Sequence, residues 1–447
     1  MSPRDTIAAV ATASGRGAIA IVRVSGPAVS GIAGQLFTQP IPVGRFSLAT
    51  ARSASGESID RGLALLFRAP RSFTGEDVLE FHGHGGSVVC DAIIERVLEL
   101  GARLAEPGEF TLRAFENGKL DLAQAEAVAD LIDAGSRRAA RAAMRSLDGE
   151  FSRRIQALAD ELLNLRVWIE AGIDFSEEDI DFIARGEVQA RVVAISTQID
   201  AILVTAGTGR ALREGLSIVL AGRPNAGKST LLNTLAGTDA AIVTDTPGTT
   251  RDLLREQIDL DGVPLTVIDT AGLRASENGI ERIGVERALA AVERADYLLW
   301  ISDDSDPESA PEADLERWRL GAAARVIVHN KIDRSGRQSG RVLSTDPEFA
   351  VSCSTGAGLA ALRAGLRELA GDTGEAGAFI ARRRHLDALR RAQSELAAAA
   401  SHLTAGDAPE LAAEALRLSH AALGEITGRV SSDQLLGEIF SGFCIGK

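Results

Sequence analysis

The fold of this chain is decided by the stretch Gly222-Arg223-Pro224-Asn225-Ala226-Gly227-Lys228-Ser229. An apolar run, Ser217 to Ala221, precedes this stretch, and a helical pattern, Thr230 to Leu235, follows it. A tight glycine-rich loop between a strand and a helix directs backbone amides at phosphate oxygens. Its lysine neutralises phosphate charge, and its serine hydroxyl can ligate Mg²⁺. The stretch therefore predicts a phosphate-binding loop in a doubly wound α/β domain.

The apolar runs that follow predict a parallel sheet, because helical stretches separate them. They are Leu265 to Ile268, Tyr297 to Ile301, Val326 to Val328 and Phe349 to Val351. Asn330-Lys331-Ile332-Asp333 is the signature of a guanine pocket, since the Asp333 carboxylate can accept two hydrogen bonds from the guanine edge. Ser352-Cys353-Ser354 is expected to close this pocket from behind. These motifs favour GTP over ATP.

Two further motifs predict the metal and γ-phosphate side of the nucleotide site. In Asp269-Thr270-Ala271-Gly272 the aspartate can hold the water shell of Mg²⁺, and the glycine amide can approach the γ-phosphate. In Gly248-Thr249-Thr250-Arg251-Asp252 the threonines are candidates to cap Mg²⁺ and to order a switch segment. The predicted domain is therefore a GTP hydrolase.

The residue that positions the attacking water is not the usual one. Leu273 stands where a small GTPase carries a glutamine for this purpose. Glu281 could orient the water directly or through a bridging water. Alternatively, the amide oxygen of Asn225 could hold a monovalent cation that neutralises charge in the transition state.

Four lysines occur in the whole chain: Lys119, Lys228, Lys331 and Lys447. In a chain so rich in arginine, lysine should persist where a compact ammonium cannot be exchanged for a planar guanidinium. Two of the four lie in the nucleotide motifs. Lys119 and Lys447 are therefore further candidates, and chance survival on a solvated surface is the alternative interpretation of each.

Composition limits the other partners. The net charge of −14 gives little overall attraction for nucleic acid, so RNA contact would require a basic partner or a local arginine patch. Two candidate patches exist, and a solvated helix face is the alternative interpretation of each. They comprise Arg137, Arg138, Arg141 and Arg145, and Arg382, Arg383, Arg384, Arg390 and Arg391.

The chain is predicted to be soluble and cytoplasmic. Its three cysteines are widely spaced and odd in number, which does not suit a disulfide framework but fits a reducing compartment. The amino terminus does not have the pattern of a signal peptide, and no run of about 18 apolar residues predicts a membrane span.

Changes in composition divide the 447 residues into four segments. Residues 1–118 alternate short β-like runs with glycine-rich turns and predict an α+β domain; the runs are Ala18 to Val24, Gly62 to Phe67 and Val78 to Phe81, before a helical Val88 to Leu100. Residues 119–210 and 376–447 are rich in alanine and leucine at helical spacing, and packing them together buries both apolar faces. The α/β segment, 211–375, is then an insertion into a helical bundle.

Six more motifs extend over the whole chain. They are Phe73 to Asp77, Pro107 to Phe110, Lys119 to Glu126, Thr244 to Asp252, Asp269 to Arg274, and Phe443 to Lys447. Together with the phosphate-binding loop they resemble the MnmE (TrmE) family of tRNA modification GTPases. The resemblance implies an amino-terminal α+β domain that dimerises and binds folate, a helical domain in two pieces, and an inserted Ras-like GTPase domain.

The resemblance also implies a reaction and partners. Members of this family form homodimers and act on tRNA with an FAD-containing partner, MnmG, in a heterotetramer. Together they add an aminomethyl or carboxymethylaminomethyl group to carbon five of the wobble uridine. The implied one-carbon source is 5-formyltetrahydrofolate or another tetrahydrofolate derivative, and GTP hydrolysis is implied to depend on potassium.

Site residues follow from the resemblance by position. The implied potassium ligands are Asn225, Thr244, Thr246 and Thr249; the magnesium ligands are Ser229 and Thr250; the folate contacts are Arg23, Glu80 and Lys119; and Glu281 acts in hydrolysis. GTP contacts are expected along Asn225 to Thr230 and Asp269 to Gly272, and at Thr244, Thr249, Thr250, Asn330, Lys331, Asp333, Ser352 and Cys353. Thr246-Pro247 departs from the Ile-Ala or similar pair of the family, a change that a ligand contact through the backbone carbonyl would tolerate. Cys444 is either a nucleophile near the terminus or a packed structural cysteine.

Two other functions remain open from the sequence. One is a regulatory GTPase that binds ribosomal RNA and times ribosome assembly, although the charge of −14 counts against strong autonomous RNA binding. In the other, the first 118 residues form a one-carbon transferase and the GTPase domain is a passenger. Wobble-uridine modification in cells that lack the protein distinguishes these from the family function.

Overall fold

The computed structural model describes residues 5–13, 15–174, 185–237, 255–269, 295–306, 324–372, 377–405, 409–429, 433–444 and 446. The chain forms two compact units, each assembled from separate stretches. One comprises Met1–Ala129, Leu147–Asp160 and His420–Lys447, and the other comprises Asp130–Ser146 and Glu161–Ser419. Both ends of the chain therefore belong to the first unit.

The described helices are as follows: α1 Val29–Leu36, α2 Ser87–Glu99, α3 Glu109–Glu116, α4 Leu122–Ile132, α5 Arg137–Leu147, α6 Glu150–Asp174, α7 Arg185–Glu214, α8 Lys228–Ala236, α9 Ile332–Ser335, α10 Leu359–Leu369, α11 Arg383–Ala405, α12 Pro409–Thr427 and α13 Asp433–Ser441. The long helices α4 to α7 and α11 to α13 flank the second sheet in sequence, as the composition predicts. This arrangement confirms a helical domain with an inserted α/β domain.

The first unit contains a six-stranded sheet of order β3-β4-β5-β2-β1-β6. Its strands are β1 Ile7–Val10, β2 Gly17–Ser25, β3 Ser47–Arg52, β4 Ser58–Phe67, β5 Val78–Gly85 and β6 Arg103–Leu104. The alternating residues of β2 and β5 that point inwards, among them Val22, Val24 and Phe81, pack with Ile32 of α1 and Ile93 of α2. The predicted α+β domain is confirmed, and β1, β3 and β6 extend it beyond the predicted strands.

Helix α7 contains the stretch Glu187–Glu214, which is long enough and apolar enough, at a mean hydropathy of 1.4, to cross a membrane by length and composition alone. From Val188 to Ile202 its buried residues recur every three or four positions and therefore share one face: Val188, Val192, Ile195, Ile199 and Ile202. Arg191 and Asp200 are exposed. A single buried face is the pattern of a helix in a protein bundle, which explains the hydropathy.

The second sheet has seven strands in the order β12-β13-β11-β10-β7-β9-β8. The strands are β7 Leu216–Gly222, β8 Arg255–Leu260, β9 Val263–Asp269, β10 Tyr297–Asp303, β11 Ala324–Asn330, β12 Gly340–Val342 and β13 Glu348–Ala350. From β13 to β9 neighbouring strands are parallel, so the predicted doubly wound sheet is confirmed. Its parallel strands end at one edge, where this fold binds ligands.

Candidate functional site

The loop between β7 and α8 follows a path that requires glycine at two points. Gly222 has φ +147°, and a Cβ added there would lie 2.2 Å from the carbonyl oxygen of Ile301. Gly227 has φ +99°, and a Cβ there would lie 2.2 Å from Nδ2 of Asn330. Any side chain would thus open the loop away from β10 and from the guanine motif. The loop is shaped to bring backbone amides close to a ligand.

Lys228 is the first residue of α8, and its Nζ lies over the loop. It donates hydrogen bonds to the carbonyl oxygens of Gly222 at 2.9 Å and of Arg223 at 2.8 Å. The backbone amides at the start of α8 and the partial positive charge of the helix end face the same space. Ser229 and Thr230 follow, and both are exposed. This arrangement fits a polyphosphate, with the serine hydroxyl available as a hard oxygen donor for Mg²⁺.

One buried side chain joins the phosphate loop to the guanine motif. Asn330 is 2% exposed and donates from Nδ2 to the carbonyl oxygen of Ala226 at 2.9 Å. Its Oδ1 accepts a hydrogen bond from the Cys353 amide at 3.2 Å. The structure therefore brings together three of the predicted GTP-binding segments through a residue at the end of β11.

The rest of the guanine motif is held by paired side chains. Oδ1 of Asp333 accepts a hydrogen bond from the Ser352 hydroxyl at 2.6 Å, and this bond lowers the pKa of Asp333. Lys331 Nζ lies 2.6 Å from a carboxylate oxygen of Asp303. The hydrogen bond from Ser352 therefore favours the ionised form of Asp333, which is exposed and can accept hydrogen bonds from a ligand. Asp303 was missed from the sequence, although an acidic residue at the end of β10 falls on the ligand edge of a parallel sheet.

Asn225 lies at the rim of the same loop in a left-handed conformation, with φ +63°. Asparagine adopts this conformation more readily than most residues. Its side chain is exposed, and no hydrogen bond is formed by it within the described part of the chain. Its amide oxygen is therefore free to ligate a cation beside the phosphate loop.

Several predicted site residues lie outside the described residues. They are Thr244, Thr246, Thr249, Thr250, Thr270, Ala271, Gly272 and Glu281. Asp269 is the last residue of β9, opposite Leu220 of the phosphate-loop strand. Its backbone therefore reaches the ligand edge of the sheet.

The first unit brings Arg23 and Glu80, two of the residues predicted to contact folate, into contact with each other. They are cross-strand partners on β2 and β5, and Arg23 Nη2 lies 2.8 Å from Oε1 of Glu80. The guanidinium also lies 5.5 Å from the ring centre of Phe73 and 5.7 Å from that of Phe110. His82 Nε2 is 3.3 Å from the other Glu80 oxygen. An ion pair bordered by aromatic rings can bind a flat polar heterocycle.

Lys119 reaches the same region through the segment 70–77. Its Nζ donates to the carbonyl oxygen of Pro70 at 3.1 Å, and its Cγ lies 3.3 Å from where a Cβ on Gly75 would stand. Phe73, beside Arg23, belongs to the same segment. The three predicted folate residues therefore line one region, two in direct contact and the third through this segment.

A buried charge network holds that segment in place. Arg113 is 4% exposed and lies 3.1 Å from Glu76 and 2.9 Å from Glu109. Burial alone would raise the pKa of Glu109, but hydrogen bonds from Arg103, from the Glu106 amide and from Arg113 bring it below its ordinary value. Glu109 is therefore ionised at neutral pH and paired with Arg103 and Arg113.

The three cysteines are all free. Cys444 is exposed, and its carbonyl oxygen accepts a hydrogen bond from the Gly108 amide at 3.4 Å. This places the carboxy-terminal motif on the first unit beside the turn that precedes α3. Burial, together with the charge of Asp333, raises the pKa of Cys353 to about 11, so this thiol is protonated at neutral pH.

The chain matches two family profiles and several full-length relatives. The profile of the MnmE helical domain matches residues 122–444, and that of the GTP-binding protein TrmE N-terminus matches residues 6–119. The tRNA modification GTPase MnmE of Stutzerimonas stutzeri (strain A1501) is 53% identical over 99% of both chains. The protein of the same name from Laribacter hongkongensis (strain HLHK9) is also 53% identical, again over 99% of both chains.

Among solved structures, the G domain of the T. maritima FeoB iron transporter is 26% identical and covers 35% of this chain and 98% of its own. Its TM-score of 0.27 is too low to add to the family assignment. The two family profiles and the full-length identities are sufficient by themselves. The chain belongs to the MnmE family of tRNA modification GTPases.

Proposed function

We propose that the chain hydrolyses GTP in a potassium-dependent reaction and acts together with the FAD-containing partner MnmG. The hydrolysis supports the addition of a carboxymethylaminomethyl or aminomethyl group to carbon five of the wobble uridine in tRNA. The protein acts in the cytoplasm. The observation that carries the potassium dependence is the free, left-handed Asn225 at the rim of the phosphate loop.

The described residues suit hydrolysis by positioning and charge. Water attacks the γ-phosphorus, the bond to the bridging oxygen breaks, and GDP leaves with the added negative charge on its β-phosphate. The loop amides and the Lys228 ammonium stabilise this charge, and Asp333 binds the guanine base. Mg²⁺ and K⁺, when bound, supply further positive charge at the phosphates.

The residues of this chain fit both cations. Hard cations take oxygen ligands, and the loop offers the Ser229 hydroxyl on one side and the Asn225 amide oxygen on the other. Leu273 cannot polarise the attacking water as a glutamine would. We assign that role to Glu281, and we assign Thr244, Thr246 and Thr249 to potassium and Thr250 to magnesium.

The region around Arg23 is proposed to bind 5-formyltetrahydrofolate or another tetrahydrofolate. A pterin has a flat amino-pyrimidine edge that pairs with a carboxylate, and Glu80 is held in place for this by Arg23 at 2.8 Å. Phe73 can contact the face of the ring. Lys119, whose ammonium is exposed, suits the negatively charged tail.

A second copy of the chain is proposed to cover the outer face of the first sheet. Leu48 on β3, Leu63 on β4 and His82 on β5 are aligned across neighbouring strands. Leu48 is 55% exposed and Leu63 is 42% exposed, and Phe46 contacts His82 edge-on with ring centres 5.7 Å apart. Glu80 shares this face because it is two residues from His82. The homodimer interface and the folate site are therefore continuous.

The test is GTP turnover by the purified protein in equal concentrations of potassium and sodium chloride. Turnover should fall strongly in sodium, and Asn225→Ala should remove the difference between the two salts. Asn233→Ala is a matched control, because Asn233 is exposed on α8 away from the loop. Equal turnover of the unmodified protein in both salts would contradict the proposal.

A further inference from the structure

The hairpin of β8 and β9 connects the two switch motifs of the nucleotide site. Its turn is tight, with Asp261 at φ +52° and Gly262 at φ +100°. The two strands pair without interruption from Arg255 opposite Ile268 to Leu260 opposite Val263. Strand β9 also pairs with β7, the strand that leads into the phosphate loop, from Leu216 opposite Leu265 to Leu220 opposite Asp269, so continuous backbone pairing joins the turn to the edge of the sheet where the nucleotide motifs lie. Six residues of β8 at about 3.3 Å each place the turn roughly 20 Å from the open end.

The turn rests on the start of helix α5. The Ser136 hydroxyl donates to the carbonyl oxygen of Gly262 at 2.8 Å, and Arg138 Nη1 donates to that of Asp261 at 2.9 Å. A Cβ added to Gly262 would lie 2.5 to 2.9 Å from the aliphatic carbons of Arg138. The backbone of the turn therefore lies directly against the Arg138 side chain.

Arg138 is fixed from its other side by a buried carboxylate. The side chain of Asp372 is 0% exposed and accepts both terminal nitrogens of Arg138 at 3.0 Å. It also accepts Nε of Arg367 at 3.0 Å, and Arg367 Nη1 reaches the Asp261 carboxylate at 3.2 Å. A bidentate pair of this kind fixes the guanidinium in direction as well as in position.

A third contact leads from the turn to the phosphate loop. Arg363 lies 3.9 Å from the Asp261 carboxylate and donates to the carbonyl oxygen of Leu235 at 3.1 Å. Leu235 lies in the last turn of α8, the helix that begins at Lys228. The turn is therefore in contact with α5 on one side and with the phosphate-loop helix on the other.

We propose that Arg138 is a positioning residue of the GTPase reaction, which sets the place of the β8–β9 hairpin and couples its nucleotide-dependent displacement to helix α5. The inference rests on the proposed GTP hydrolysis and adds its route to the helical domain. Because coupling between two sites is reciprocal, a change at α5 also alters the GTP-bound arrangement. Arg138 therefore acts on turnover without touching the nucleotide.

The neighbouring arginine provides the contrast. Arg137 is exposed, and no partner for it is found within the described ranges, so it is the solvated helix face that the sequence also allowed. Arg138 uses three of the donors of its guanidinium in two directions at once. A lysine has the same charge but lacks the planar guanidinium with its fixed N–H donors, so it cannot bind Asp372 in a bidentate way while also holding the turn.

The experiment compares Arg138→Gln, Arg138→Lys and the control Arg137→Gln in the full-length protein. We expect Arg138→Gln to lower kcat for GTP by about tenfold, equivalent to roughly 1.4 kcal/mol, with the Kd for a fluorescent GDP within about twofold of the unmodified protein. Arg138→Lys should show a similar loss of kcat, although it keeps the positive charge. Amide exchange in α5 should differ between the GDP and non-hydrolysable GTP forms of the unmodified protein, and Arg138→Gln should abolish the difference.

Unchanged kcat and an unchanged exchange difference in Arg138→Gln would overturn the proposal, as would an equal loss in Arg137→Gln. If Arg138→Gln fails to bind GDP, Ser136→Ala decides instead: it removes one contact to the turn and should lower kcat in the same way, by a smaller factor, and normal kcat would overturn the proposal. Absence of GTP turnover in the unmodified protein is a separate result, which would remove the proposed function itself.

Discussion

Replacing Asn330 by alanine should weaken nucleotide binding while the protein remains folded. Asn330→Ala removes the hydrogen bond to the Ala226 carbonyl oxygen at 2.9 Å and the one from the Cys353 amide at 3.2 Å. Each partner is a backbone group, and leaving one unpaired in a buried position costs about 1–3 kcal/mol. A cost of about 1–1.5 kcal/mol for each of the two groups, at the lower end of this range, gives a sum of about 2–3 kcal/mol.

This cost falls on the arrangement that binds nucleotide. At about 1.4 kcal/mol per tenfold change, the Kd for GDP and GTP should rise by about 30- to 150-fold. The assay is a fluorescence titration with a labelled GDP, with thermal unfolding followed by circular dichroism in parallel. Asn233→Ala, on the exposed side of α8, is the control and should leave Kd unchanged. A rise of less than about threefold, or an equal rise in the control, would refute the reasoning.

The remaining predictions concern other parts of the molecule. Gly227→Ala should weaken GDP binding by about tenfold or more, because φ +99° costs a non-glycine residue about 1–2 kcal/mol and the new Cβ displaces Asn330. In a titration of the double variant with Asn330→Ala, the loss of binding free energy should be smaller than the sum of the two single losses. Lys119→Arg should weaken tetrahydrofolate binding measured by isothermal titration, and unaltered affinity would show that the ammonium is not used. Glu109→Gln should lower the urea midpoint at pH 7, whereas Glu57→Gln, on an exposed turn, should not. In the folded protein the pKa of Glu109 is below its ordinary value of 4.5, so the stabilisation from its ionised form is present above about pH 4.5 and is lost as the pH falls further. The urea midpoints of Glu109→Gln and of the unmodified protein should therefore converge in acid. A difference between these two midpoints that stays constant with pH would contradict this.

The sequence was sufficient for the nucleotide motifs because their spacing is local. Asn330 ends the buried strand β11 and Asp333 comes shortly after it, and any parallel sheet places the ends of its strands at the ligand edge. Asp303 was missed because its pairing with Lys331 depends on β10 and β11 being neighbours, which the order of strands along the chain does not state. Long-range pairing of this kind requires the sheet topology.

The edges of the first sheet show the same limit. Strand β1 pairs with β6, and both are short: Ile7 is opposite Arg103, and Ala8 is opposite Leu104. A two-residue strand has no periodicity to detect, so neither propensity nor alternation could have indicated β6. The position of β6 is set instead by the turn after α2 and by the ion pairs of Arg103 with Asp5 and Glu109.

The arginines of α5 show why charge runs are ambiguous in sequence. Arg137 and Arg138 are adjacent and chemically identical, yet one is solvated and the other binds the buried Asp372. The carboxylate is 234 residues away in the chain, so only the tertiary fold distinguishes the two. A run of arginines therefore predicts a surface, but not which of its members is structural.

The most direct test of the central claim is the mass spectrometry of tRNA nucleosides from cells that lack this protein. We expect loss of the carboxymethylaminomethyl and aminomethyl groups at carbon five of the wobble uridine, restoration by the unmodified chain, and no restoration by Lys228→Ala. Unchanged wobble nucleosides in the deleted cells would contradict the account and would favour a regulatory role in ribosome assembly.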